Sequence, residues 1–400
     1  MDVLKDKNIL LGVTGGIAAF KAASLTSQLV KSGANVKVVM THNATQFISP
    51  LTFQTLSRNP VYLDMFSPVS WQPEHILLAD WAELFVIAPA TANVIGKLAH
   101  GIADDLLTTV ALAVRCPIIL APAMNSNMLD NPILQDNLRY LEEKDFLIIA
   151  PEYGPLACGY EGRGRLADLD VIAEAIRMVL TPKDLEGIKV LVTAGPTRES
   201  IDPIRFITNR SSGKMGYALA RAARDRGAQV TLISGPTSLK RPPYMDFVQV
   251  ETALQMRDAV MERFKWADVL IMAAAVADYR PRESMEHKLK KFDSELILRL
   301  TPNPDILAEL GGAKEDKILV GFAAETEHVV SNALEKLHAK NLDLIVANNV
   351  LERGAGFESD TNIVTIIDER GKAEKLPILP KDEVAHRILD RISEMIRGEG

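Results

Sequence analysis

The residues best placed to do chemistry lie in loops. Thr14-Gly15-Gly16, Thr41, the run Ala88-Pro89-Ala90-Thr91-Ala92-Asn93 and the run from Ala121 to Asn125 are rich in small residues, hydroxyls and amides. Small side chains allow close backbone approach while Thr and Asn supply hydrogen bonds, so such a lining suits a flat ring and a single phosphate. Cys158 stands between Ala157 and Gly159, with Tyr160 and charged residues nearby. That setting argues for an exposed thiol, able to donate a proton when its pKa lies near working pH. Cys116, in AVRCPIIL, reads as core. In the second half, Lys336 and Lys340 are four apart on one helical face, so both can point at one polyphosphate. Asp278 follows the small-residue run Ala273-Ala274-Ala275 and could hold a ribose or a magnesium ion. Asn303-Pro304-Asp305-Ile306-Leu307 opens a predicted helix whose amides suit a phosphate or a base, and Phe322 ends an apolar run where its ring can stack.

Such loops need rigid elements behind them. Two strand-loop-helix openings, Lys7 to Lys31 and Lys189 to Arg226, share a layout but carry different glycine loops. Neither is the dinucleotide fingerprint G-x-G-x-x-G. Nor is Gly213-Lys214 a Walker loop, because Thr208 replaces the upstream glycine and Met215 the metal-binding hydroxyl. Further apolar runs at 84–90, 117–123 and 146–150 continue the first half, and a helix from about Asp168 to Leu180 ends at Thr181-Pro182. The polar stretch TPKDLEG follows, which places the domain boundary between residues 187 and 188. The second half alternates again, with strands near Val190, Val230, 269–275, 318–323 and 344–347. Its helices start near Gly213, Leu254 and Val329, and a closing helix spans 383–396. The pattern predicts α/β architecture: two doubly wound, Rossmann-like, three-layer domains, 1–187 and 188–400.

With 400 residues and 47% apolar content, the chain can bury two cores. A formal charge of -7 with scattered Lys and Arg gives no basic stripe, so nucleic acid is not an expected partner. No apolar run is long enough to cross a bilayer, and the first apolar run is already a strand rather than a cleavable signal. Two cysteines form neither a zinc spacing nor a disulfide framework, and seven histidines form no HExxH; a reducing cytoplasm is the expected setting. A protein-built transition-metal site is not expected, whereas a magnesium ion brought by a nucleotide remains open.

The motifs PATANVIGKLAHGIADDLLTT, PAMNSNM and GPLACGYEGRGR resemble the flavin-dependent cysteine decarboxylases that act on phosphopantothenoylcysteine, over most of residues 5–180. The resemblance implies a flavodoxin-like domain holding FMN, with Gly15, Gly16, Thr41, Thr91, Asn93 and Thr109 near the cofactor. It implies an active-site histidine at His75, in the predicted loop WQPEHILLADWAE, an amide at Asn125 that holds the substrate carboxylate, and a flap cysteine at Cys158. Decarboxylating a cysteine amide needs an electron sink. Oxidation of the thiol to a thioaldehyde provides one, and the final reduction requires a proton. The family commonly has Trp where this chain has Leu129.

The segment TAGPTRESIDPIRFITNRSSGKMG, with AAAVADYRP, HKLKK, TPNPDIL, GFAAET and KNLDLIVANN, resembles the phosphopantothenate-cysteine ligases over most of residues 188–370. Activating a carboxylate by nucleotidyl transfer requires neutralising several negative charges, for which Lys288, Lys336 and Lys340 are candidates. The resemblance implies 4'-phosphopantothenate, L-cysteine and CTP as substrates, an acyl-cytidylate intermediate, and Asn209 as an amide in the loop that closes over it. It places Ala273, Ala274, Ala275, Asp278, Asn303, Pro304, Asp305, Ile306, Leu307 and Phe322 around CTP. It further implies a homo-oligomer of trimeric flavin domains and dimeric ligase domains, as large as a dodecamer. Residue chemistry alone does not choose cytosine over adenine. Two other readings, a nicotinamide oxidoreductase with tandem Rossmann domains and a non-enzymatic nucleotide-binding scaffold, lack respectively the two fingerprints and a need for a cysteine flap.

Overall fold

The structure, a computed structural model, describes residues 3–66, 73–155, 159, 161–290, 296–325, 327–349 and 359–398. The chain divides into two compact units, Met1–Thr181 and Pro182–Gly400.

In the first unit a parallel six-stranded sheet runs in the order Val61–Tyr62, Asn35–Met40, Asn8–Val13, Leu84–Ala90, Ile118–Pro122, Leu147–Ile148. Alternate residues of each strand face opposite sides. Ile9, Leu11 and Val13 pack with Leu25 and Leu29 of helix Ala19–Lys31 and with Ile172 and Ile176 of helix Leu169–Leu180. Leu10, Phe85 and Ile87 pack the other way, against Val94, Val110 and Leu134. Coverage of both faces explains why Leu84–Ala90 is apolar and buried throughout. The Rossmann-like expectation holds, but its flavodoxin-like refinement does not. The third strand, Val61–Tyr62, lies outside the second, and the chain reverses between the first strand and the fourth, giving the order 3-2-1-4-5-6 rather than 2-1-3-4-5.

The second unit has an eight-stranded sheet ordered Asp246–Gln249, Gln229–Ser234, Lys189–Ala194, Val269–Met272, Ile318–Glu325, Leu344–Asn349, Val364–Asp368, Ala373–Lys375. The first six strands are parallel; Val364–Asp368 then pairs antiparallel to Leu344–Asn349, and Ala373–Lys375 antiparallel to Val364–Asp368. Helices Lys214–Asp225 and Lys381–Arg397 cover one face through Leu219, Ala222, Ile388 and Ile392. Helices Ala253–Phe264, Ile306–Gly311 and Val329–Ala339 cover the other through Val260, Leu310 and Leu337. Two details differ from the sequence reading. The expected strand 269–275 stops at Met272, so Ala273 to Ala275 leave the sheet, and Asp246–Gln249 adds an edge strand. Among the described residues no helix is long and apolar enough to cross a membrane.

Residues 182–187, placed by the sequence at the end of the first domain, pack on the second unit. Leu185 is buried in its core and its amide donates to the Arg226 carbonyl. The Arg226 guanidinium, itself buried, binds both Asp184 and Asp390. Burial opposes the charge on Asp184, but Arg226 outweighs burial and holds the carboxyl below its ordinary value. A folded pKa below the unfolded one stabilises at neutral pH, and the gain disappears as pH falls through the ordinary carboxylate value and then the lowered one. Asp184→Asn is expected to cost about 2 kcal/mol at neutral pH, less than a fully buried pair because Asp390 remains. Urea unfolding at neutral and acid pH checks this: the variant should lose less stability on acidification than the parent.

Candidate active sites

Each unit has a large cleft at the carboxyl ends of its parallel strands, where open α/β sheets gather their loops. The first encloses about 940 Å³. Its floor is fixed by Thr14, fully buried, whose Oγ1 donates to the Pro89 carbonyl at 2.7 Å and accepts from the Thr91 amide at 3.1 Å. The exits of the first and fourth strands are thereby stapled together. A Cβ on Gly15 would lie 2.5 Å from Asn43 Cβ, so only glycine lets these loops approach. Opposite, Gly164 has φ 126° and its hypothetical Cβ would meet the Met124 carbonyl at 2.2 Å.

Gly15, Gly16, Thr41, Thr91, Asn93 and Asn125 all line this cleft. Asn125 caps the short helix Ser126–Leu129, its Oδ1 accepting from the Asn127 amide at 2.9 Å. Two expected residues stand elsewhere. Thr109 turns inward on its own helix, donating to the Asp105 carbonyl at 2.7 Å. His75 is in helix Glu74–Trp81 rather than a loop and is not on the described cleft wall; its Nδ1 is buried with no hydrogen-bond partner among the described residues. Beside it Glu74 is buried, which pushes its carboxyl above the ordinary value. Cys158 lies outside the described residues. Leu129 is buried in the core, so the position does not present a side chain to the cleft.

Sequence reasoning missed Phe20, Lys21, His42, Lys97, Asp105 and Arg165, which also line the wall. Lys97 binds Asp104 at 2.6 Å and Asp105 at 3.2 Å, and the Asp104 hydrogen bond leads in raising its pKa. Burial, then repulsion from Arg165, lowers that of Lys21. Phe20 and Lys21 were legible in principle, because the first turn of a helix after a glycine loop borders the same crevice.

The second cleft encloses about 700 Å³. It brings together Asn209, Ala273, Ala274, Ala275, Asp278 and Asn303 with Pro304, Asp305, Ile306, Leu307, Phe322, Lys336 and Lys340. Thr193 Oγ1 accepts from the Ala274 amide at 3.2 Å and Thr197 Oγ1 from the Ala277 amide at 3.0 Å, a second staple of the same kind. Gly235 has no room for a Cβ, which would meet the Pro196 carbonyl at 1.8 Å. Asn209 donates its amide to the Val276 carbonyl at 3.0 Å and the Ala275 carbonyl at 3.3 Å. Gly213, at φ 77°, starts helix Lys214–Asp225. The helix expected to open at Asn303 begins at Ile306, with Asp305 as its N-cap accepting from the Ala308 amide at 3.1 Å.

Lys336 and Lys340 are not bare cations. Lys336 binds Glu325 at 2.5 Å and Lys340 binds Asp305 at 2.8 Å. Lys288 is exposed and is not on the described wall. Lys214 and Lys381, both missed by the sequence reading, are on it: Lys214 binds Asp360 at 2.6 Å, and buried Lys381 donates to the Ser359 carbonyl at 2.5 Å. Among the described residues no group of three or more His, Cys, Asp or Glu side chains is assembled for a metal, so Asp278 has no such company.

Residues 2–181 match the family model described as Flavoprotein, and residues 185–396 match that of the DNA/pantothenate metabolism flavoprotein C-terminal domain. The chain is 52% identical to the Coenzyme A biosynthesis bifunctional protein CoaBC of Bacillus subtilis strain 168, covering 100% of this chain and 99% of the relative. It belongs to that bifunctional family. The Vibrio cholerae member is 45% identical over 99% of this chain and 100% of its own length. A protein named Cysteine/Cysteine sulfinic acid decarboxylase, from an unknown prokaryotic organism, is 45% identical over 87% of this chain and 99% of its own.

As a flavoprotein-family chain, its glycine cradle makes a direct prediction. Gly15→Val should drive the first loop off Asn43, with loss of most bound flavin absorbance per protein, while the ligase activity of the second unit persists. Unaltered visible absorbance would show that the cradle does not hold the flavin.

Proposed function

We propose that the chain joins 4'-phosphopantothenate to L-cysteine in its second unit, using CTP and releasing CMP and pyrophosphate. The first unit then decarboxylates the 4'-phosphopantothenoylcysteine so formed to 4'-phosphopantetheine. The carrying observation is two unlike clefts at corresponding strand ends of two Rossmann-like units, in a chain that aligns end to end with bifunctional coenzyme A biosynthesis proteins.

In the first cleft, the cradle at Gly15 and Gly164 and the hydroxyls of Thr41 and Thr91 fit a flat ring with one phosphate, and FMN is the cofactor this reading assigns. When bound, the flavin supplies a reversible electron acceptor for the substrate thiol. The protein's own residues do the rest. Thr91 and Asn93, on the cleft wall, would hold the ring through hydrogen bonds. Asn125 offers an amide donor to the substrate carboxylate, and Cys158 supplies the closing proton. His75 joins the active site under this reading by its match to the family motif.

In the second cleft the carboxylate oxygen of 4'-phosphopantothenate attacks the α-phosphorus of CTP, and pyrophosphate leaves with its bond electrons. The cysteine amine then attacks the acyl carbon of the acyl-cytidylate, CMP departs, and the amine proton passes to solvent. The first turn of helix Lys214–Asp225 and the Lys214 ammonium receive phosphate charge. A magnesium ion carried by the nucleotide would share that charge, and Asp278 is the wall carboxylate this reading assigns to it. Asn209, held on the Ala275 and Val276 carbonyls, keeps its loop over the intermediate. Exposed Phe66 (88%) and Ile297 (82%) suit burial between copies in a homo-oligomer, up to a dodecamer, acting in the cytoplasm.

Pyrophosphate release that requires both CTP and 4'-phosphopantothenate, from a yellow purified protein, tests the whole assignment; a colourless sample retaining NADH overturns it. Cys158→Ser should leave ligation intact and lower decarboxylation of supplied 4'-phosphopantothenoylcysteine by about 100-fold or more. Full turnover by that variant removes Cys158 as the proton donor.

A further inference from the structure

The two ends of the second cleft differ in charge. Helices Ile306–Gly311 and Val329–Ala339 pack on one face of the sheet, and helices Lys214–Asp225 and Lys381–Arg397 on the other. The cleft draws wall residues from both sets, so it straddles the carboxyl edge of the sheet. On the first side both lysines are matched: Lys336 by Glu325 at 2.5 Å, Lys340 by Asp305 at 2.8 Å and 3.0 Å. Asp278, whose carbonyl accepts from the Asn303 amide, brings another carboxylate to this side. On the second side Arg210, Lys214 and Lys381 accompany Asp360, at the start of helix Lys214–Asp225. A polyphosphate favours the cationic side, whereas a charge-compensated rim suits an uncharged ring.

We propose that Glu325 is a positioning residue for the nucleotide: it neutralises and aims Lys336 so that the Lys336–Lys340 rim receives the base, not the phosphates. Glu325 is not on the cleft wall, its side chain is 12% exposed, and both its oxygens are engaged, Oε1 by Lys336 and Oε2 by Asn332 at 3.2 Å. It therefore acts through Lys336. An ammonium only donates, so the aimed group seeks acceptors such as the ring nitrogen and carbonyl oxygen of a pyrimidine edge, with Phe322 on the same wall as a stacking surface. The two lysines, which spacing alone assigned to one polyphosphate, thus become base-edge donors. This rests on the reading of the second cleft as a nucleotide site.

The test uses the full chain, with CTP and inorganic tripolyphosphate as probes. Glu325→Gln should raise the KM for CTP about ten-fold with kcat little changed, the expected loss for one charge-assisted hydrogen bond. Lys336→Met, at a 48% exposed side chain that tolerates replacement, should weaken CTP to a similar degree. Inhibition by tripolyphosphate should be unchanged in both. An unaltered KM in Glu325→Gln, or tighter binding of CTP and tripolyphosphate by it, overturns the proposal, because the carboxylate would then be a stand-in for phosphate. Equal weakening of CTP and tripolyphosphate by Lys336→Met overturns it too. Failure of the parent protein to bind CTP at all would instead remove the nucleotide reading on which the proposal stands.

Discussion

In both units a buried threonine hydroxyl leaving the first strand of the sheet pins the backbone leaving the strand beside it. Thr14 does this to Pro89 and Thr91; Thr193 and Thr197 do it to Ala274 and Ala277. The need is general. A strand in a parallel sheet covered on both faces ends with peptide groups that have lost their ladder partners and are still out of reach of water, and each costs about 1 to 3 kcal/mol if left unpaired. A hydroxyl serves as donor and acceptor at once, so one side chain satisfies a carbonyl and an amide while fixing the distance between two loops. Both clefts depend on that distance. The close approaches that admit only glycine, at Gly15 in one unit and Gly235 in the other, are consequences of it.

Given the same scaffold twice, the units diverge through what the loops carry. The first cleft combines small residues, hydroxyls and amides with an apolar wall from Phe20 and Met128, which suits a flavin ring and a modest charge. The second gathers lysines and answers most of them with carboxylates. Compensation of this kind keeps like charges from repelling one another, and it also divides the cleft into a charge-compensated side and a cationic side. Ligand orientation then follows from where the carboxylates are, a property invisible in any count of lysines.

Much of the layout was readable from periodicity. Leu84–Ala90 was placed to the residue because an apolar run bounded by turn residues can only be a doubly covered strand. Boundaries went astray where tertiary contacts decide them. The 182–187 segment looks like a polar linker, but Leu185 finds the second core and Asp184 finds Arg226. The run Val269 to Ala275 reads as one strand, but the Thr193 hydroxyl takes the Ala274 amide and the chain leaves the sheet after Met272. His75 reads as a loop residue after Pro73, although that proline is the N-cap of a helix.

The sequence by itself determined the α/β class, the two-unit division to within a few residues, and the residue types that surround each cleft, because periodic burial and glycine placement are local properties of the chain. Only the tertiary structure decided which of those residues share a wall. It turned Thr109 onto its own helix, kept Lys288 off the described wall, brought in Lys214 and Lys381 from positions 167 apart in sequence, and set Glu325 behind Lys336. Spacing along one helix fixes which side chains share a face; what opposes that face comes from another part of the chain, and long-range packing alone selects it.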